Sequence, residues 1–176
     1  MGDTVKKDYE DDFLADLQKY EDRENLRKKA DNVVMGFVAG TTATGAVPIP
    51  FADAPLLIGE QVAMMAAINS VFGFDVGKDA LKSLATAALG VGGATVIGKT
   101  VASNLLKMIP GVGTVAGAAI SGGTAGIITL ALGKAYISVC EAIKMGKLNQ
   151  SDLTQGAGIN MLKAAFKDEL KNSKKS

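Results

Sequence analysis

Between positions 9 and 38 apolar residues recur at helical spacing, with charges filling the positions between them. Phe13, Leu14, Leu17 and Tyr20 begin the stripe, and Leu26, Ala30, Val33, Val34, Phe37 and Val38 continue it. This predicts one long amphipathic helix. Glu24 precedes Lys28 by four residues, a pairing that supports a helix by about 0.3 kcal/mol. After Asp31 the pattern turns apolar on all sides, so the helix is expected to enter the core by its C-terminal end. Its first part reads as a solvated amphipathic helix or, over about two heptads, as a coiled-coil surface for a partner.

Pro48 and Pro50 then break the pattern, each pushing its predecessor into an extended conformation. Asp53 is placed to cap a second helix that tolerates Pro55 in its first turn and runs to about Phe72. Glu60 and Gln61 interrupt its apolar run. Either they reach solvent or a neighbouring helix end, or they make a polar functional contact. Gly73 stops this helix and Asp75 is expected to cap a third, which extends through Leu89. Gly90, Gly92 and Gly93 predict a break, followed by a helix over 94–108. Pro110, Gly111 and Gly113 form a turn, and a fourth apolar helix is expected over 114–145 until Gly146 stops it. Ser151 is the expected cap of a last helix over 152–172, with Leu153, Ile159, Leu162, Ala165, Phe166 and Leu170 as its stripe.

A faint repeat appears at an offset of 60 residues. Ile49 and Pro50 pair with Ile109 and Pro110, and Phe72 and Gly73 pair with Leu132 and Gly133. Each half then reads as proline break, apolar helix, glycine stop. The fold expected is all-α: a compact bundle of two glycine-rich helical hairpins, with a long amphipathic N-terminal helix and a short C-terminal helix. The organisation expected is a charged helix over 1–30 that continues into the core, a helical domain over 31–146, and a basic C-terminal helix and tail over 147–176.

Composition sharpens this picture. The chain has 176 residues, 48% hydrophobic, with 21 glycines and 7 methionines, so the core is built largely from small side chains that let helices approach closely. There is no histidine, which removes the usual general base and the commonest metal ligand. One cysteine, Cys140, excludes an internal disulfide. Net charge is +1, with the acids concentrated in residues 1–31 and lysines in 144–176. The acidic opening residues contain no apolar run and do not read as a signal peptide. Few aromatics stand near the basic tail, so nucleic acid is not an expected partner.

Gly93 to Thr100 spells the phosphate-loop pattern G-x-x-x-x-G-K-[ST], with Lys99 and Thr100 as its last two positions. The pattern requires a preceding apolar strand, and here an alanine-rich helical stretch stands in that place. A nucleotide-binding protein using 93–100 is therefore the weakest of the alternatives, and no cofactor is expected. Gly111 to Ala116 also fits a loose dinucleotide fingerprint, again without its strand. More informative is the stretch 108–133, which carries no charge and holds seven glycines. Within it Gly113, Gly117, Ser121 and Ala125 lie four apart, and Gly122 and Gly126 add a second pair. Such spacing makes a flat face for tight helix packing, in a soluble core or in lipid. Lys99, Lys107 and Lys134 flank the apolar blocks as interface anchors would.

The proline motifs carry a resemblance. Pro48, Ile49, Pro50, Phe51, Ala52 and Asp53, then Gln61, Gly73, Ile109, Pro110, Gly111, Gly113 and finally Leu132 and Gly133 make residues 30–145 similar to the YcjF-like helical domain. That domain commonly follows Era-like and dynamin-like GTPase domains. The resemblance implies a helical, often membrane-associated module without catalytic residues of its own, standing here without a GTPase domain. The expected function is thus a non-enzymatic amphitropic module that associates with membrane lipid or with itself and partners a GTPase in trans. Its expected location is the cytoplasm, with peripheral or integral attachment to the cytoplasmic membrane. The alternative is a soluble helical scaffold with a dense Gly/Ala core.

Overall fold

The computed structural model describes residues 2–44, 54–90 and 122–173, with side-chain surroundings over 12–40, 58–90 and 125–173. The proline break at Pro48, Pro50 and Asp53, the 93–100 match with Lys99, and Lys107 lie outside the described residues. So do Pro110, Gly111, Gly113, Gly117 and Ser121. Everything described is helix or short link. The elements are α1 (Gly2–Thr44), α2 (Ala54–Phe72), α3 (Lys78–Leu89), α4 (Gly122–Lys144) and α5 (Gly156–Asn172), with a 3₁₀ turn at Gln150–Thr154 before α5. The all-α bundle expected from the apolar spacing is the observed architecture.

α4 is the central rod, in contact with α1, α2 and α5; α3 closes the far side against α2 and α5. The reason lies in its surface. Ala131, Leu132, Ala135, Tyr136, Ile137, Val139 and Cys140 are all buried, more than one face of a helix can hold, so neighbours must surround it. α3 and α5 are one-sided instead. Leu81, Leu84, Ala85 and Leu89 make the buried stripe of α3, and Gly158, Leu162, Phe166 and Leu170 that of α5.

Helix ends follow glycine conformation where the chain must reverse. Gly73 and Gly146 sit at φ +70° and +69°, in the left-handed region that a Cβ disfavours. Both are the stops expected from sequence. The start signals were read less well. α3 is capped by Gly77 in an extended conformation, not by Asp75, because the irregular link 74–77 places the start of α3 three residues after Asp75. The Asp75 carbonyl instead accepts a hydrogen bond from Gln150 Nε2 at 3.0 Å. Ser151 does not cap the last helix either. It lies inside the 3₁₀ turn, whose start is secured by a reciprocal box between Asn149 and Asp152.

Two helical glycines are contact points. A Cβ on Gly133 would stand 2.6 Å from Val34 Cγ2 and 3.1 Å from Met64 Sδ. Gly133 therefore lies where α1, α2 and α4 meet, inside α4; it is not the helix stop that the sixty-residue echo suggested. A Cβ on Gly158 would stand 2.5 Å from the backbone carbonyl oxygens of Asp152 and Leu153. Backbone cannot rotate away as a side chain can, so Gly158→Ala is expected to cost about 1–3 kcal/mol through forced separation of α5 from the 3₁₀ turn. A urea midpoint equal to that of the parent protein would contradict it.

α1, Gly2–Thr44, runs past both limits of the 9–38 helix expected, while its division into a solvated first part and a core-entering end is as expected. Its C-terminal half is in the core, with Ala30 and Val34 buried, as its late apolar pattern predicts. Its earlier stripe stays outside: Phe13, Leu14, Leu17 and Tyr20 are all exposed.

Candidate functional site

The chemistry that the bundle encloses is a polar seam between α2 and α4. On α2, Gln61 and Asn69 stand eight residues apart, so they share one helix face. On α4, Thr129, Tyr136 and Cys140 share a face by the same argument. Packing brings the two faces together. Gln61 Nε2 donates to Thr129 Oγ1 at 2.9 Å. The Tyr136 hydroxyl donates to Asn69 Oδ1 at 2.8 Å, and the Cys140 thiol lies 4.0 Å from the same oxygen. Gln61, Thr129 and Tyr136 are fully buried. Gln61 therefore does not reach solvent; it belongs to an interhelical contact.

The seam is only half satisfied. Gln61 Oε1 and Asn69 Nδ2 have no hydrogen-bond partner among the described residues. Each buried orphan costs about 1–3 kcal/mol relative to a paired group. What the seam provides is register: a shift of α2 along α4 would break both hydrogen bonds and strand more polar groups in an apolar core.

Burial sets the ionisation of its members. The Tyr136 phenol is raised far above its usual range, by burial first and then by neighbouring Cys140. The Cys140 thiol is pushed up to about 12 by burial and by the adjacent Glu141 carboxylate. A thiol so placed is neutral near pH 7 and is a poor nucleophile. Cys140 is expected to resist a disulfide reagent at pH 8 in the native protein and to react fully in denaturant; rapid native labelling would contradict this. Both groups hold their protons more tightly folded than unfolded. Their contribution to stability is complete below about pH 9, the ordinary thiol value, and is lost as pH rises toward the folded values.

Arg27 of α1 reaches across the bundle edge and donates to both carboxylate oxygens of Glu141 at 3.2 and 3.1 Å. The arginine side chain is 49% exposed, so solvent screening limits the pair to about 1 kcal/mol or less. Its value is directional, since it ties α1 to α4 one residue from Cys140. Lys134 is exposed, midway along α4. Ala125 and Gly126 are buried. Gly122 begins α4, and its surroundings lie outside the description.

Among the described residues no group of three or more His, Cys, Asp or Glu is placed to hold a metal. A groove between α3 and α5 is lined by Asp79, Lys82, Ser83, Thr86 and Lys163. The seam partners Asn69, Thr129, Tyr136 and Cys140 were not singled out from sequence as a set. Their spacing on each helix carried a signal, but nothing in the spacing pairs one helix with the other.

What the fold and its interior define is an all-α domain whose polar groups align helices. Residues 9–161 match the family described as a domain of unknown function, DUF697, and the chain belongs to that family. The resemblance carried by the proline motifs, to a helical domain of unknown function, holds. The chain is also similar to magnetosome membrane protein 22 of Magnetospirillum gryphiswaldense, with 29% identity over 112 residues. That match covers 61% of this chain and 55% of the relative, so the chain spans about half the length of the relative. No solved structure matches.

Proposed function

We propose that this protein is a non-catalytic, amphitropic helical module that associates with a membrane on its cytoplasmic face. The observation that carries the reading is the uncharged stretch 108–133, bounded by Lys107 and Lys134. Its length suffices for a bilayer, while its many small residues make insertion weak enough to be reversible. The relative named as a membrane protein supports the same reading. The face of Gly113, Gly117, Ser121, Gly122, Ala125 and Gly126 is the surface proposed for tight helix association, and a GTPase in trans is the proposed class of regulatory partner. The three-part organisation, 1–30, 31–146 and 147–176, and the proline motifs as framework of the middle part, belong to the same proposal.

Among the described residues one helical segment, Ala125–Lys144, is long and apolar enough to span a membrane, and 67% of its apolar window is buried within the bundle. Lys134 stands near the middle of that segment, where a charge at the bilayer centre costs about 2.5–3.5 kcal/mol. This disfavours a fixed span by 125–144; because 125–133 is largely buried in the bundle, lipid contact through the whole of 108–133 requires that part of α4 to leave the core. The Lys134 charge also favours the second reading, a soluble scaffold, should lipid binding fail.

Flotation with liposomes tests the proposal. The protein is expected to rise with vesicles, and Ile120→Asp to lower the bound fraction about tenfold or more. A chain that stays in the dense fraction with every lipid composition is the scaffold, and the membrane reading ends there.

A further inference from the structure

α1 is much longer than the bundle that it serves. Its 43 residues span roughly 65 Å at 1.5 Å per residue, yet its core contacts begin near Leu26. Before that point Phe13 is 64% exposed, Leu14 60%, Leu17 42% and Tyr20 55%, with the Arg23 guanidinium 5.7 Å from the Tyr20 ring centroid. This stripe is not the bundle-facing stripe carried further out. At 100° per residue, Phe13, Leu17 and Tyr20 fall within roughly 60° of one another, and Ala30, Val34 and Phe37 point roughly 100° away round the same helix. The arm offers its apolar side in a direction of its own.

Charge indicates what covers it. Residues 8–22 hold seven acids and one base, Lys19; residues 23–29 hold four bases and one acid, Glu24. Past Lys6 and Lys7 the arm is thus acidic over 8–22, where the apolar stripe lies, and basic over 23–29 toward the bundle. An anionic lipid surface would repel the acidic part, since interfacial helices carry Lys and Arg beside their apolar face. A second copy in parallel would set acid against acid. A second copy running antiparallel sets the acids of 8–12 in each arm against the bases of 23–29 in the other and stacks the apolar stripes at the centre. That arrangement closes with two-fold symmetry, as an isologous interface requires.

We infer that α1 is a dimerisation arm, pairing antiparallel with the same helix of a second copy, with the two-fold axis near residues 17–20. The surface is separate from the 113–126 ladder, and the inference does not depend on the membrane reading.

The test uses the full chain without detergent, in sedimentation equilibrium over a wide concentration range at low and high salt. The parent protein is expected to dimerise. Leu17→Arg, at an exposed position, is expected to weaken the dimer about tenfold or more while the thermal melt and helical circular dichroism of the bundle are retained. Asp8→Lys with Asp12→Lys, and separately Arg23→Glu with Lys28→Glu, should each weaken it, and all four in one chain should restore it. Arg27 is left in place because it holds Glu141. A parent protein that is monomeric throughout overturns the inference. So does a dimer indifferent to Leu17→Arg, or a four-fold variant that keeps its helicity and stays monomeric. A Leu17→Arg chain whose oligomeric state is unchanged but which no longer floats with vesicles would assign the stripe to lipid instead, and would overturn the inference as well.

Discussion

Tyr136→Ala is expected to lower the melting temperature by roughly 10 °C, the largest loss for any single side chain in the seam. Tyr136 is fully buried on the central helix, and truncating a buried aromatic to alanine removes about 3–5 kcal/mol through lost burial and the cavity left behind. Its hydroxyl also donates the short hydrogen bond to Asn69 Oδ1. Without it, Asn69 keeps the distant Cys140 thiol as its neighbour, and its Nδ2 already has no partner among the described residues. For a chain of this length each kcal/mol moves the midpoint by about 2–4 °C. Tyr136→Phe separates the two contributions. It keeps the ring and should cost about 1–2 kcal/mol, the price of leaving a buried acceptor unmet. Joining it to Asn69→Leu removes both partners and should recover most of that loss. Thermal melts followed by circular dichroism read all three; a phenylalanine variant as unstable as the alanine variant would show that the hydroxyl, not the ring, dominates.

Gly133→Leu should also destabilise the bundle, for the opposite reason. The position has no room: its Cβ alone would press on both methyls of Val34, at 2.6 and 2.7 Å. Val34 is β-branched and buried, so it cannot rotate aside at low cost. A leucine must therefore push α1 off α4. Overpacking of this kind costs about 1–3 kcal/mol and occasionally more, against a gain of roughly 1 kcal/mol in helix propensity over glycine. The distinguishing measurement is a double-mutant cycle. Val34→Ala destabilises the parent protein but should partly rescue Gly133→Leu, giving a coupling of about 1 kcal/mol or more. Additive losses would place the strain elsewhere. Because Arg27 and Glu141 lie on the same two helices, displacement of α1 should also make Cys140 more reactive toward thiol reagents.

These two positions show where reading the sequence stops. The stops at Gly73 and Gly146, the limits of α2 and the buried stripe of Leu162, Phe166 and Leu170 were legible, because each depends on neighbours within a few residues. At Gly133 the sixty-residue echo and the helix expected over 114–145 disagree, because a glycine in an apolar run looks the same whether it ends a helix or admits a neighbouring one; the helix reading is the one observed. Asp75 and Ser151 were misread as caps because both are good capping residues locally. Which of several candidates takes the cap depends on the path of the link before it, and here residues 74–77 and the 3₁₀ turn at Gln150–Thr154 decide it. Gln61 stands out in the sequence as a polar residue in an apolar helix, but its partner, Thr129, lies 68 residues away.

The sequence by itself determined the helical class, the positions of most helix ends, the uncharged stretch 108–133 and the lack of histidine. Those follow from composition and from periodicity along a single helix. Only the tertiary structure decided that Gln61 meets Thr129 across 68 residues and that Tyr136 meets Asn69 across 67. It also decided that Val34 occupies the space beside Gly133, and that the bundle leaves Phe13, Leu17 and Tyr20 exposed. The physical reason is the same in each case. Spacing fixes which side chains share a helix face, whereas the face they meet is selected by the packing of the whole bundle.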